Sequence, residues 1–273
     1  MEYFAVSEKI LNFAAEFIHH LTEGNQRTLG QDALRPLLFL IGHKKRIPAK
    51  ACHRNSLFKM IHHISLKYGA FWFMDKNLFS NEAIFQKCQS HIQEELKRTK
   101  EEFILEHYKK YSDPDMPPVW KTLEVITFGT LSKLYCNLKD NSIKKKIAKE
   151  FYLPQHIILE NWIKCAVVLR NYLAHHARLW NRNFPIIPQT SKPFRKKWLN
   201  HQIPVTNKLY PHLCCLQYFL NSIKEDNFFK ERLKVLIANH PNVDIAAMGF
   251  PADWEKEPLW EGRANGLVLL SPL

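Results

Sequence analysis

The chain has 273 residues, enough to bury a full hydrophobic core as one large domain or as one domain with an extension. A hydrophobic fraction of 46% and a mildly negative mean hydropathy exclude a disordered chain, and only eight glycines argue for helices over tightly turned hairpins. The net charge of +13 selects polyanions as partners, nucleic acid first and an anionic membrane surface second.

Residues 1–24 are predicted as an amphipathic helix with Ile10, Leu11, Phe13, Ala14 and Phe17 on one face and Gly24 as its stop. Met1-Glu2-Tyr3-Phe4 lacks the basic and apolar regions of a signal peptide, and clusters such as Leu37 to Ile41 are too short to span a bilayer. Residues 33–54 carry Arg35, Lys44, Lys45, Arg46, Lys50 and Arg54 without an acidic residue, which reads as a solvated basic loop. A helix follows over 54–68. The aromatic run Phe71-Trp72-Phe73-Met74 sits in a connection, with no basic residue interleaved before Lys76. It is expected to anchor the core rather than to stack on bases.

Ser80 or Asn81 can cap a long helix reaching about Tyr111. Its charged middle, Glu94 to Glu102, has the opposite-sign spacing of a solvated surface. Asp113-Pro114 and Pro117-Pro118 break the pattern. Residues 119–138 place Leu123, Ile126, Phe128, Leu131, Leu134, Tyr135 and Leu138 at helical spacing and are predicted as the central core helix. Gly129 inside it costs about 1 kcal/mol against Ala unless it permits a close helix approach. Asn141 opens a short basic helix. Pro154 opens the next, predicted over about 155–181, with Pro185 and Pro188 ending it. Residues 186–204 form a basic linker with Lys192, Arg195, Lys196 and Lys197. Helices are expected over about 206–223 and 225–239, and the remainder turns acidic around Trp254 and Trp260.

Six cysteines form no Cys-x-x-Cys pair and read as small core residues in a reducing compartment, so a soluble cytoplasmic protein is expected. The pairs His19-His20, His62-His63 and His175-His176 diverge by 100° on a helix. No His-Glu-x-x-His motif or Cys/His quartet is present, so neither a metal site nor a cofactor is expected. No glycine-rich phosphate loop or nucleophile elbow occurs either.

The segment Arg170 to Arg182 packs three arginines, two histidines and two asparagines into thirteen residues. On a helix, Asn171, His175, Arg178 and Arg182 fall within about 60° of one another. Cys165, Leu169, Leu173 and Trp180 take the opposite side, and Arg170 flanks the polar stripe. RNA carries its own nucleophile, the 2′-hydroxyl. Cleaving it without a metal needs a proton carrier active near neutrality, which suits histidine, and a fixed cation for the pentavalent phosphorane, which suits arginine. A two-fold dimer would bring two such sets to one groove. The structural alternative is a polar helix face paired with acidic neighbours such as Glu160.

Arg170-Asn171-(three residues)-His175 resembles the R-N-x-x-x-H signature of HEPN ribonucleases. The longer string LRNYLAHHARLWNR, Leu169 to Arg182, is similar to the signature of the Abi family of phage abortive-infection proteins, the AbiD/AbiF-like group. Further blocks extend the resemblance over roughly 54–262: KYGAFWFMDKNLF (67–79), PPVWKTLEVITFGTLSKLY (117–135) and MGFPADWEKEPLW (248–260). The resemblance implies an all-α, HEPN-like helical bundle with additional C-terminal helices, a role in bacterial antiviral defence, and an activity on RNA. It implies Arg170 and His175 as the catalytic pair and Asn171 as a polar orienter. His176, Arg178, Arg182, Lys196 and Lys197 are expected as RNA contacts.

The expected organisation is an atypical N-terminal segment (1–53), a HEPN-like core (54–185), a basic linker with C-terminal helices (186–262) and a tail (263–273). Residues 1 to about 53 do not fit the family's usual N-terminal element, as expected of a truncated or altered start. The second residue after the motif histidine is Ala177. Related toxins paired with a nucleotidyltransferase carry Tyr there, so control by Tyr modification is not expected. The leading expectation is a metal-independent endoribonuclease acting as a homodimer, with no membrane partner. The rivals are an RNA-binding module that cuts nothing and an interaction scaffold using the acidic Trp-containing tail.

Overall fold

The computed structural model describes residues 56–175, 177–190, 193–201, 206–223, 227 and 229–261. The predicted helix over 1–24, the basic loop over 33–54, Cys52, His176 and Lys192 lie outside the described residues. Within them the chain is all-α, with nine α-helices and no strand beyond an isolated antiparallel bridge between Phe79 and Leu138. Two compact units emerge, the first within Arg54–Val167 and Gln189–Pro193, the second within Val168–Pro188 and Phe194–Leu273.

In the first unit, α1 (Ser56–Tyr68) stops at Gly69, whose φ of 81° is the left-handed conformation that an L side chain resists. The aromatic run then turns as a 3-10 segment, Trp72–Met74. Trp72 and Phe73 are 1% and 0% exposed, so they anchor the core as expected. Ring centroids link Trp72 to Phe79 at 6.2 Å and Phe79 to Phe85 at 5.0 Å.

Helix α2 (Glu82–Arg98) is capped by Asn81, whose Oδ1 accepts the Ile84 amide at 3.0 Å. Phe85, Cys88, Ile92 and Leu96 form its one buried stripe. The single helix predicted to reach Tyr111 is in fact two. Thr99 turns to an extended ψ of 144°, and its hydroxyl accepts the Glu101 amide at 3.3 Å, a local bond that competes with helix continuation. The chain restarts as α3 (Glu102–Lys110). The predicted core helix over 119–138 is broken the same way. It divides into α4 (Val119–Val125) and α5 (Phe128–Asn137), with Thr127 capping the second through the Thr130 amide at 3.1 Å.

Buried Asn137 then ties the end of α5 to the start of α2. Its amide donates to the Asn81 carbonyl at 2.8 Å, and its Oδ1 accepts the Asn81 N–H at 2.8 Å. Helix α6 (Asn141–Glu150) is capped by Asp140, which accepts the Ser142 and Ile143 amides and also the Lys67 ammonium at 2.6 Å and the Tyr68 hydroxyl at 2.7 Å. The Lys67 bond first, then Ser142, holds the Asp140 carboxyl well below the usual carboxylate range. Lys144 is 4% exposed. Its ammonium lies 3.1 Å from Glu160 and donates to the Cys136 carbonyl at 2.9 Å, which keeps a buried charge paired. Helix α7 (His156–Ala174) buries Leu159, Trp162, Ile163, Leu169 and Leu173 along one side and runs on into the second unit.

The second unit surrounds α8 (Leu209–Ile223), where every residue from Leu209 to Leu220 is buried. A helix buried all round belongs at the centre of its unit. In the first unit the residues expected as core over 119–138, Leu123, Ile126, Leu131, Leu134, Tyr135 and Leu138, are buried as well. Helix α9 (Phe229–Ala238) packs on it. Trp254 and Trp260, 2% and 0% exposed, join Tyr210 and Phe250 in one aromatic cluster, with Trp254 and Trp260 centroids 5.4 Å apart. The two tryptophans of the acidic segment are therefore core, while Asp244, Asp253, Glu255 and Glu261 are exposed. Gly249 allows the chain to turn there, with φ 86° and a virtual Cβ only 3.0 Å from Lys208 Cβ.

Cys88, Cys165, Cys214 and Cys215 are buried free thiols as expected, while Cys136 is only half-buried. Burial pushes the Cys165 thiol up to about 12 and that of Cys136 up to about 11, away from thiolate chemistry. Among the described residues no helix is long and apolar enough to cross a membrane, and no group of three His, Cys, Asp or Glu could hold a metal ion.

Two stability outcomes follow from the first unit. A Cβ at Gly129 would meet Thr127 and Val167 only at 3.7 and 3.8 Å, ordinary contact, so Gly129→Ala is expected to stabilise the protein by about 0.5 kcal/mol in urea unfolding. Because the folded Asp140 pKa is depressed, its contribution is complete above the unfolded value near ~4 and fades as pH falls below it. Asp140→Asn is expected to flatten that part of the acid-unfolding curve; an unchanged curve would contradict the assignment.

Candidate functional site

The site is built where α7 ends. Leu169 and Leu173, 1% and 0% exposed, hold its last turns to the core and leave Arg170, Asn171 and His175 on the solvent side. The His175 amide makes the last i to i−4 bond, to Asn171 at 3.0 Å. The Ala177 amide then reaches the Tyr172 carbonyl at 2.8 Å, the six-to-one closure that ends many helices. The predicted helix to 181 thus overshoots by seven residues, since α7 ends at Ala174. The physical reason lies in Leu179. A continued helix would turn it roughly 120° away from Leu173, whereas the observed path buries it to 4% exposure. Asn181 completes the turn at φ 49°, a conformation asparagine tolerates, and the Lys208 ammonium donates to its Oδ1 at 2.7 Å.

The four-residue stripe of the helical wheel consequently divides. Asn171 lies in the last turn of α7 and His175 directly follows it, while Arg178 and Arg182 belong to the loop beyond. Arg182 is half-buried and structural in its contacts. Its Nε donates to the Arg178 carbonyl at 2.7 Å, and its guanidinium lies 4.3 Å from the Tyr172 ring centroid. It latches the loop back onto the final turn of the helix. Arg178 is exposed, 6.0 Å from the Trp180 ring centroid. Arg170 is exposed and donates only a long bond, 3.4 Å, to Asn171 Oδ1. Trp180 departs from its expected apolar side: it is 40% exposed, and its indole N–H donates to the Asp244 carbonyl at 3.4 Å.

Behind the loop, Phe184 braces the segment. Its amide donates to the Asn207 carbonyl at 2.7 Å, and its ring meets Tyr172 at 5.6 Å and His212 at 4.2 Å. The His212 ring nitrogens lie 3.0 Å from the carbonyls of Lys208 and Ile186. Burial pushes this histidine down to about 4, which keeps it neutral at pH 7. His212 is a support that sequence reading missed, and only its place in an otherwise apolar helix marks it.

The remaining basic candidates are engaged within the chain. Half-buried Lys196 donates to the Asn221 carbonyl at 3.2 Å, and exposed Lys197 pairs with Glu261 at 3.3 Å. Glu160 is occupied by Lys144. Among the described residues no carboxylate lies within ion-pair distance of Arg170, His175, Arg178 or Arg182. The local sequence contributes to this. Between Glu160 and Glu225 the chain carries ten Lys and Arg and not one Asp or Glu. Exposed cations without internal counter-charges, set beside a histidine, can bind an anion and exchange a proton with it.

Residues 54–181 match the model of the family described as Abi-like protein. The match covers just under half of the chain and is a likeness to that family. It takes in Arg170, Asn171, His175, Arg178 and Trp180 and stops one residue short of Arg182. No curated protein and no solved structure matches the chain.

The two loop arginines are expected to behave differently. Arg182→Ala should cost about 1 kcal/mol in urea unfolding by removing the Tyr172 contact and the bond to Arg178, while Arg178→Ala should change stability by less than about 0.5 kcal/mol. Equal losses would contradict the division of roles.

Proposed function

We propose that this chain is an antiphage abortive-infection protein of the Abi-like family that acts as a HEPN-type endoribonuclease in the cytoplasm, probing RNA with the end of α7. The observation that carries the proposal is that Arg170, Asn171 and His175 are all exposed at the C-terminal end of α7, inside a stretch free of acidic residues. The family match supports the defence role, and the R-N-x-x-x-H pattern supports the chemistry.

In this reading the 2′-oxygen of a ribose loses its proton and bonds to phosphorus, while the bond from phosphorus to the 5′-oxygen breaks and that oxygen takes up a proton. The products are a 2′,3′-cyclic phosphate and a free 5′-hydroxyl, with no oxidant and no water consumed. His175 carries a proton, Arg170 faces the phosphorane oxygens, and Asn171, within reach of the Arg170 guanidinium, orients it. Arg178 adds a phosphate contact. A homodimer supplies a second His175, so that one copy accepts a proton while the other donates one. RNA holds its own nucleophile, so the reaction requires no metal.

The second reading, an RNA-binding module without cleavage, is favoured by the same unneutralised arginines and differs only in the outcome for the RNA. Incubating RNA with the purified chain in excess chelator separates the two. Wild type is expected to cut, and His175→Ala and Arg170→Ala are each expected to slow cleavage by about 10²-fold or more. Bound RNA that stays intact establishes the second reading, and equal cutting by wild type and His175→Ala removes the catalytic assignment.

A further inference from the structure

Five of the seven tryptophans, Trp72, Trp162, Trp198, Trp254 and Trp260, are buried to 7% exposure or less. Trp180 is not, although it follows the motif histidine by only five residues. Its ring is nevertheless held in place. The indole N–H points into the Asp244 carbonyl, and Asp244 is itself fixed by accepting the Ala246 and Ala247 amides at 2.9 and 3.3 Å. The Arg182 latch draws the loop that carries Trp180 back onto the last turn of α7. The edge of the indole is thus tethered while 40% of the residue faces solvent, and the Arg178 guanidinium lies over the ring, 6.0 Å from its centroid.

An oriented aromatic face with an adjacent free cation is the chemistry that receives one unpaired nucleotide, the base on the ring and the phosphate on the guanidinium. Paired bases in an A-form duplex have no face to offer. We propose that Trp180 is a specificity-determining residue that stacks an unpaired base of the RNA, with Arg178 taking the neighbouring phosphate. This inference rests on the proposed action on RNA and adds the form of RNA that is accepted. The competing account makes Trp180 only a fastener for the Asp244 turn through its N–H.

Both accounts are tested by fluorescence anisotropy with the full chain and a 2′-O-methyl oligonucleotide, which binds without being cut, presented as a single strand and as the same strand fully paired. Wild type is expected to bind the single strand at least tenfold tighter than the duplex. Trp180→Ala is expected to weaken single-strand binding about tenfold and leave duplex binding unchanged, since one base stack is worth roughly that factor. Trp180→Phe keeps a ring and loses the N–H, and is expected to retain most of the preference. Equal binding of both forms by wild type, or equal losses in Trp180→Ala and Trp180→Phe, overturns this inference and leaves the action on RNA standing. Failure to bind RNA in any form overturns both.

Discussion

The site depends on one closure: the Ala177 amide bonds to the Tyr172 carbonyl, and the Arg182 guanidinium settles on the Tyr172 ring. Together they stop α7 at Ala174 and turn the following loop back along the helix. Had the helix run on, Leu179 would leave the core and the arginines would spread along two further turns. With the closure made, Leu179 is buried, Arg182 holds the Arg178 carbonyl and the Tyr172 ring, and Arg170, His175 and Arg178 remain exposed. Leu169 and Leu173 anchor that end of α7 from below, and Phe184 and His212 brace it from behind. The polar turn is therefore exposed but rigidly backed, which a group that must hold a phosphate in place requires.

Charge distribution supplies the second half of the account. A chain of +13 could spread its excess evenly, but here acidic residues are missing from one continuous stretch, 161–224. Elsewhere carboxylates serve internal bonds: Asp140 joins α1 to α6, Glu160 meets buried Lys144, and buried Glu257 accepts the Asn200 amide at 2.7 Å. Lys197, expected as a phosphate contact, is neutralised by Glu261, and Lys196 is turned to a backbone carbonyl. The unneutralised cations of the candidate site are thus the arginines, whose planar forks suit phosphate oxygens.

Much of this was legible in residue order. Asn81 reads as a cap because its short side chain can accept an amide three residues on, and it does so. The aromatic run at 71–74 reads as core because nothing basic separates its rings, and Trp72 and Phe73 are fully enclosed. Periodicity failed where a hydroxyl or a core demand outbid it. Thr99 and Thr127 interrupt helices whose apolar spacing continues past them, and Leu179 pulls the chain out of α7. These losses share a cause, since a 3.6-residue pattern reports which side is apolar and not whether the backbone bends between one apolar residue and the next. Arg170 and Asn171 lie in α7 and His175 directly follows its end, while Trp180, read from the same wheel onto the apolar side, is exposed.

The central claim is that the end of α7 and its loop are the surface that meets RNA. Ultraviolet cross-linking of the full chain to RNA, followed by mass-spectrometric mapping of the attached peptides, tests it most directly. The account requires cross-links within residues 168–188, at His175 or Trp180. Cross-links confined to other segments would contradict it.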